Sequence, residues 1–304
     1  MSDIRFDDKV VIVTGAGGGI GRAHALLFAK HGAKVIVNDL GGSATGEGAN
    51  SEAALKVVEE IKAMGGTAVA NPDSVVDGDK IVQCAMDNFG RIDVVVNNAG
   101  ILRDKSFSKM TLDDFRLVVD VHLMGAAICS KAVWEIMRAQ TYGRIVMTTS
   151  SSGLYGNFGQ ANYGAAKLAQ VGLMQTLAIE GAKYNIKVNA LAPTAATQMT
   201  AGILSEEVLK ALDPALVSPG LLALVGEAAP TRAILCAGGG HFATANITLT
   251  PGVRIGGGAD AGEQLIARWD EASNREGEIV PDFGFQQGAQ EMISAGVSAP
   301  MAAG

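Results

Sequence analysis

The sequence has few cysteines and fewer basic than acidic residues. Its three cysteines, Cys84, Cys129 and Cys236, are unevenly spaced in apolar runs of a 304-residue chain, so we interpret them as reduced core residues. The 24 Lys and Arg residues against 31 Asp and Glu give a formal net charge of −7. This balance argues against a general nucleic-acid or membrane-surface binder, so a bound phosphate must be held locally.

Three further signals are absent. No apolar run approaches the roughly 18 residues of a membrane span, and the N-terminus M-S-D-I-R-F-D-D-K is too acidic for a secretory signal. The last residues, A-P-M-A-A-G, do not form a peroxisomal S-K-L ending. We therefore expect a cytoplasmic protein with no membrane partner, and we expect no metal site.

Glycine, in contrast, is abundant. The 39 glycines cluster at 15–21, 41–48, 238–240 and 256–258, as is typical of loops that approach a ligand closely. With 48% hydrophobic residues the chain can also bury a large core. These features favour a soluble globular protein that binds a small molecule.

The first glycine cluster lies within a predicted βαβ unit. A β-branched run at 9–14 predicts a buried strand, a helix follows over 22–31, and a second strand covers 33–39. Gly15, Gly19, Ile20 and Gly21 occupy the turn between strand and helix. Glycines there let the backbone approach a pyrophosphate and direct the free amides of the helix N-terminus at it. The unit therefore predicts nucleotide binding.

Asp39 ends the second predicted strand. Its carboxylate is placed to accept hydrogen bonds from both adenosine-ribose hydroxyls, and its charge would repel a 2′-phosphate. No Lys or Arg occurs among residues 15–21 or just after Asp39. Both observations favour NAD over NADP. The alternative is that Asp39 is a turn residue before Gly41 and Gly42.

The rest of the chain predicts a doubly wound α/β sheet of about seven strands in a single domain over 1–242, with a C-terminal extension over 243–304 on the same domain or a neighbouring subunit. The further predicted strands cover 67–71, 92–97, 144–149, 186–192 and 233–236, with one at 245–250 in the extension. The predicted helices cover 51–64, 79–89, 111–139, 165–183, 221–227, 260–272 and 287–295, and residues 195–219 are expected to form a mobile lid.

Polar and small residues follow several of these strands, at the edge where doubly wound sheets bind ligands. Asp73 and Ser74 could contact an adenine edge. Asn98, Ala99 and Gly100 follow the fourth strand, Pro193 and Thr194 follow the sixth, and both turns could border the nicotinamide half. A plain turn is the alternative for the Asn98 segment.

Ser150, Tyr163 and Lys167 form the most informative constellation. Ser150 follows a buried strand, and Tyr163 and Lys167 are four residues apart on the next helix, so both project from one face. A nearby ammonium lowers the pKa of a phenol, and a hydroxyl can hold the same substrate oxygen. The arrangement predicts proton transfer at a carbonyl or alcohol. The alternative is a core Tyr beside a surface Lys.

Together, T-G-x-x-x-G-x-G at 14–21, N-N-A-G at 97–100, Ser150 and Y-x-x-x-K at 163–167 resemble the short-chain dehydrogenase/reductase family. The resemblance implies a Rossmann-like domain, NAD(P), and hydride transfer at Ser150, Tyr163 and Lys167. It also implies a homodimer or homotetramer formed through the helices at Thr111 and Tyr163.

A closer resemblance is carried by N-D-L-G-G at 38–42, V-H-L-x-G at 121–125 and S-G-L-Y-G-N-F-G-Q-A-N-Y at 152–163. These segments are similar to the (3R)-hydroxyacyl-CoA dehydrogenase units of the peroxisomal D-bifunctional (multifunctional) proteins, and we expect a free-standing version of that unit. The resemblance implies an acyl-CoA substrate in fatty-acid β-oxidation. A steroid or other secondary alcohol, or a non-catalytic nucleotide-binding role, are the alternatives.

His122 stands where most family members have an Asn that takes part in proton relay. An imidazole there could carry the proton or merely pack. Arg103 and Lys105, just after the N-N-A-G turn, are candidates for the CoA phosphates.

Overall fold

The computed structural model describes residues 4–48, 50–196 and 205–298. The chain divides into two compact units, Met1–Thr244 and Ala245–Gly304. The first unit contains the sheet, and the described residues of the second contain short helices, loops and an isolated β-bridge.

The sheet of the first unit has eight strands in the order β3-β2-β1-β4-β5-β6-β7-β8, and β1 to β7 pair in parallel. This order is that of a doubly wound α/β sheet, as the sequence predicted. The strands are β1 Val10–Thr14, β2 Lys34–Asn38, β3 Thr67–Asn71, β4 Val94–Asn97, β5 Gly143–Thr148, β6 Ile186–Thr194, β7 Ile234–Gly238 and β8 His241–Ala245.

The eighth strand was not predicted. Gly239 and Gly240 adopt positive φ angles of 58° and 73°, a conformation that glycine reaches without strain. They form a tight turn that places β8 beside β7. The predicted strand at 245–250 is wrong: in that range Leu249 makes only an isolated bridge to Ile279.

Helices connect the strands. They are α1 Gly19–Lys30, α2 Glu52–Ala63, α3 Gly78–Phe89, α4 Leu112–Val119, α5 Gly125–Gln140, α6 Ser151–Tyr155, α7 Ala161–Gly181, α8 Glu206–Ala211, α9 Ser218–Val225, α10 Ala261–Ala267, α11 Trp269–Ala272 and α12 Phe285–Ser294. Of the predicted lid at 195–219, residues 197–204 lie outside the described residues, and much of the remainder is helical in α8 and α9.

The helix predicted over 111–139 is interrupted. A π-helical segment, Asp120–Met124, joins α4 to α5 and contains His122. A π turn inserts one residue into the helical ladder and often occurs at functional sites. One inserted residue changes the apolar periodicity too little for the sequence to reveal it.

The core explains why the strands are so apolar. Every residue of β1 and β4 is buried, because helices cover both faces of a parallel sheet. Phe6, Phe28 and Ile61 fill one side. Each such side chain contributes about 1.5–3 kcal/mol on burial. The packed sheet fixes the strand ends from which the site is built.

Two helical stretches, Leu112–Gln140 and Glu206–Val225, satisfy the length and hydropathy of a membrane span, contrary to the prediction that no such run exists. This is weak evidence for a membrane, because core helices of soluble proteins satisfy the same criterion. In these two stretches 44% and 39% of the most apolar window is buried in the structure.

Within the second unit, polar side chains bond the unit's own backbone. Thr250 Oγ1 donates to Ala272 O at 2.9 Å, and Gln290 Nε2 donates to Thr250 O at 2.8 Å. None of the described residues 245–298 is buried, and the large apolar side chains of Ile266, Trp269 and Ile293 are exposed.

Candidate active site

The glycine loop between β1 and α1 is shaped for a diphosphate. Gly15 and Gly19 have positive φ angles of 63° and 53°, and a Cβ on Gly21 would lie 2.1 Å from the carbonyl oxygen of Gly15. Helix α1 has no side-chain cap at Gly18 and no acidic residue in its first turn. Its N-terminal amides therefore retain the capacity to bind an anion, which fits the pyrophosphate of a dinucleotide.

Asp39 lies just beyond the end of β2 and is fixed by the same loop. Its Oδ2 accepts from Gly17 N and its Oδ1 accepts from Gly41 N, both at 2.7 Å. The carboxylate is therefore oriented by two backbone amides rather than free in a turn. Arg22, the first basic residue after the loop, is paired with Glu60.

The turn after β4 is joined to β1 by Thr14. Thr14 Oγ1 accepts from the amides of Asn98 and Ala99, each at 3.0 Å. The Asn98 side chain donates to Thr14 O at 2.9 Å and to Gly15 O at 3.1 Å. The Asn98 side chain thus stabilises the start of the glycine loop by hydrogen bonds to its backbone.

Hydrogen bonds also fix the segment around Asp73 and Ser74, which the sequence predicts to contact an adenine edge. The side chain of Asn38 donates to Asn71 Oδ1 at 2.8 Å and to Asp73 O at 2.7 Å. The Asp73 carboxylate accepts from Asn71 Nδ2 at 2.8 Å, and Ser74 caps the short 3-10 helix Val75–Asp77. Asp73 and Ser74 therefore lie together at the carboxyl edge of the sheet.

Ser150 and Tyr163 meet across the α6–α7 turn. Ser150 is the N-cap of α6, where its Oγ accepts from Ser152 N at 3.2 Å. Burial raises the pKa of the Tyr163 phenol, the Ser150 hydroxyl lowers it, and the charge of Asp104 raises it. The net direction is upward, opposite to the lowering that the sequence predicted from Lys167.

Lys167 is fully enclosed. Its Nζ donates to the carbonyl of Thr148 and lies 5.5 Å from the centroid of the Tyr163 ring. Burial lowers the pKa of Lys167 to about 7. Burial therefore disfavours the charged form of both Lys167 and Tyr163.

His122 is positioned by the turn after β4. Its Nε2 lies 2.8 Å from Ile101 O and 3.0 Å from Ile101 N, and a Cβ on Gly100 would lie 2.2 Å from its Cε1. Burial, with a smaller contribution from the charge of Lys167, lowers the pKa of His122 to about 3. The ring is thus neutral and engaged with the backbone.

Pro193 and Thr194 end β6, paired with Ala237 and Gly238 of β7. Thr194 lines a cavity of about 200 Å³ with Leu212, Cys236, Ala237, Gly238 and His241. Among the described residues, no hydrogen bond or ion pair joins either residue to Tyr163 or Lys167.

Arg103 and Lys105 are already paired. Arg103 donates to Thr45 O at 2.7 Å and forms ion pairs with Glu47 and Asp114, while Lys105 pairs with Asp114 at 3.2 Å. These side chains connect the 41–48 loop to α4. The structure does not favour them as binders of CoA phosphates.

Two residues that shape the site were not predicted from the sequence. Thr14 belongs to the glycine motif, and a hydroxyl at a strand end is a signal for a turn bond. Gln170 lies one turn beyond Lys167. A Gln among the apolar and small residues of α7 is the signal that could have revealed it.

Residues 9–208 match the family model described as short chain dehydrogenase. The chain belongs to this family. It is therefore an oxidoreductase whose fold binds a nicotinamide cofactor, as the sequence predicted, and the glycine loop, the Asn98 turn and the Ser150, Tyr163 and Lys167 cluster fit that assignment.

Several similar relatives are peroxisomal enzymes by name. The peroxisomal multifunctional enzyme A of Dictyostelium discoideum is 61% identical over 221 residues, covering 73% of this chain and 50% of that protein. The peroxisomal hydratase-dehydrogenase-epimerase of Saccharomyces cerevisiae is 56% identical over 226 residues, covering 74% and 25%. The chain thus spans between a quarter and half of these relatives, and the resemblance to dehydrogenase units of multifunctional enzymes is confirmed.

Solved structures of related enzymes superimpose on this chain. The full-length peroxisomal multifunctional enzyme type 2 of Drosophila melanogaster superimposes with a TM-score of 0.80 at 35% identity, covering 96% of this chain and 50% of that one. A 7α-hydroxysteroid dehydrogenase complexed with NADH and 7-oxo glycochenodeoxycholic acid gives a TM-score of 0.70 at 30% identity, covering 78% and 96%.

The comparisons also correct one prediction. The expected cytoplasmic location is contradicted, because four close relatives carry the word peroxisomal in their names. The sequence argument rested on missing signals, and the absence of a signal does not identify a compartment.

Proposed function

We propose that this chain oxidises (3R)-3-hydroxyacyl-CoA to 3-ketoacyl-CoA with NAD, in fatty-acid or side-chain β-oxidation. The observation that carries the proposal is the 56% identity to a hydratase-dehydrogenase-epimerase over the residues that contain the whole Ser150, Tyr163 and Lys167 cluster. The names of the other multifunctional relatives support the same reaction.

Each residue of the cluster has a chemical role in this proposal. A bound nicotinamide supplies the hydride acceptor. Ser150 holds the oxygen of the substrate hydroxyl by hydrogen bond. Tyr163, as the phenolate, takes the proton of that same hydroxyl. Lys167 contacts the nicotinamide ribose and, when protonated, stabilises the phenolate.

The cofactor cradle is proposed to consist of the glycine loop, Asp39 and the strand-end turns. The backbone around Gly15, Gly19, Ile20 and Gly21 holds the pyrophosphate, and Asp73 and Ser74 face the adenine. The turns of Asn98, Ala99 and Gly100 and of Pro193 and Thr194 border the nicotinamide.

The preference for NAD over NADP rests on Asp39. Its carboxylate is fixed by two backbone amides at 2.7 Å, so it can accept from the ribose hydroxyls, and it stays close to where a 2′-phosphate would lie. Arg22 is paired with Glu60, so it is not positioned to neutralise that phosphate.

The proposal is tested by NADH formation with resolved (3R)- and (3S)-3-hydroxyacyl-CoA of several chain lengths, against steroid alcohols at matched concentration. Turnover confined to the (3R)-acyl-CoA is the expected result. Turnover of steroids alone would keep the Tyr163 chemistry and refute the acyl-CoA substrate.

A hydroxysteroid substrate is the second candidate. It is favoured by the likeness to the 7α-hydroxysteroid dehydrogenase, at a TM-score of 0.70. This chain is 30% identical to the hydroxysteroid dehydrogenase and 61% identical to the multifunctional enzyme A. We therefore rank a steroid substrate below an acyl-CoA.

We further propose that the chain forms a homodimer or homotetramer, and that the C-terminal extension over 243–304 packs on the same domain or on a neighbouring subunit. The support is that none of its described residues is buried. A segment with so much exposed apolar surface is typical of an interaction site.

A further inference from the structure

Gln170 is an amide in the interior of the helix that contains Tyr163 and Lys167. It lies three residues after Lys167, so the two share a helix face, and its side chain is only 1% exposed. A buried amide is costly unless it is hydrogen-bonded. Its partner should therefore reveal what it does.

That partner is the π turn. Gln170 Nε2 donates to the main-chain carbonyl of His122 at 2.7 Å, and within the described part of the chain Gln170 Oε1 has no partner. The hydrogen bond to the His122 carbonyl is thus the interaction that offsets the cost of burying the Gln170 amide. It ties the π segment Asp120–Met124 to α7 across 48 residues of sequence.

The His122 ring contacts two parts of the candidate site. It packs edge-on against the Tyr163 ring, with centroids 5.2 Å apart, and its Nε2 bonds the backbone of Ile101 at the end of the Asn98 turn. A shift of the His122 backbone would therefore move both the surroundings of the phenol and the turn that borders the cofactor.

We propose that Gln170 is a positioning residue of the active site, whose amide fixes the π turn and thereby sets the placement of His122 against Tyr163 and Ile101. The inference rests on the proposed function in so far as Tyr163 is the proton acceptor. The amide contacts no reacting atom, so its effect is transmitted through His122.

The test compares Gln170→Met with Gln175→Met. Methionine keeps the size of the side chain and removes the donor. Gln175 is on the same helix but accepts from Arg232 Nε at 2.6 Å, away from the π turn. We expect Gln170→Met to lower kcat about tenfold, the equivalent of about one net hydrogen bond, with KM for NAD within about twofold. Gln175→Met should leave kcat unchanged.

Two readouts separate positioning from simple packing. Amide hydrogen exchange over 118–126 should accelerate about tenfold in Gln170→Met and stay unchanged in Gln175→Met. Relative to the wild type at the same pH, Gln170→Glu should be fully active at low pH, where the buried carboxyl is protonated and donates to the His122 carbonyl, and should lose activity as pH rises through its raised pKa.

Wild-type kcat and wild-type exchange in Gln170→Met would overturn the inference, as would an equal loss of kcat in Gln175→Met. Failure of the proposed function looks different. If the wild type oxidises none of the alcohols, the acyl-CoA proposal fails, while hydrogen exchange over 118–126 still decides whether Gln170 fixes the π turn.

Discussion

The imidazole of His122 packs edge-on against the phenol of Tyr163, with ring centroids 5.2 Å apart and planes at 90°. The contact joins the π turn to α7. His122 Nε2 is engaged by Ile101 and burial lowers its pKa to about 3, so the ring is held against the phenol in its neutral form.

Tyr163→Phe should remove most turnover. Loss of a proton-transferring group typically costs 10²- to 10⁴-fold in rate, so we expect kcat to fall by about that factor while the affinity for NAD changes little. Steady-state kinetics and NADH fluorescence titration measure the two quantities. Tyr184→Phe is the control, since Tyr184 pairs with Arg138 away from the cluster. Near wild-type turnover in Tyr163→Phe would exclude the proposed role.

The pH dependence should differ between the two directions of the reaction. The raised pKa of Tyr163 means that the phenol keeps its proton through neutral pH. Oxidation needs the deprotonated form, so its rate should climb with pH without levelling before about pH 9. Reduction needs the protonated form and should be nearly constant over that range. An oxidation rate that levels near pH 7 would show that the phenol pKa is lowered in the working complex.

Asp39→Asn should weaken the preference for NAD. Hydrogen bonds to a charged acceptor contribute about 1.5–3 kcal/mol, so NADH should bind at least about tenfold more weakly, while NADPH should bind better once the repulsion is removed. Fluorescence titration with both cofactors gives the ratio. Asp113→Asn, at an exposed site paired with Arg116, is the matched control. An unchanged ratio of NADH affinity to NADPH affinity would show that residues other than Asp39 recognise the ribose.

The strands and the glycine loop were accessible from sequence because their signals are local. The β-branched run that ends at Thr14 and the glycines from Gly15 to Gly21 predict their own conformation, and the spacing of Tyr163 and Lys167 predicts a shared helix face. All three features appear in the structure where they were expected.

The remainder depends on groups distant in sequence. Arg103 resembled a free cation until the structure placed Glu47 and Asp114 beside it. The pKa of Tyr163 depends on burial, which sequence spacing does not report. The carbonyl of His122 in the π turn accepts a hydrogen bond from Gln170, 48 residues away, a contact that no local pattern predicts.

Gly100→Ala and Gly172→Ala should have opposite effects on stability. A Cβ at Gly100 would lie 2.2 Å from Cε1 of His122, a ring that Ile101 holds in place, so the substitution should destabilise the fold by about 1–3 kcal/mol and weaken cofactor binding. Gly172 is exposed within α7 and has open space around it, so alanine there should stabilise by about 0.5–1 kcal/mol. Thermal unfolding measures both changes, and a neutral Gly100→Ala would show that the His122 ring yields.

Charge placed on the exposed apolar residues of the 245–304 unit should disrupt the proposed assembly. Ile266 and Ile293 are 77% and 64% exposed, and if a neighbouring copy covers them, Ile266→Lys with Ile293→Lys should reduce the mass measured by light scattering, because two buried charges would be unpaired. Glu263→Lys on the same helix as Ile266 is the control for added charge. A lowered melting temperature at unchanged mass would assign the apolar side chains to the chain's own domain, and no change in either would refute the proposal that they are covered.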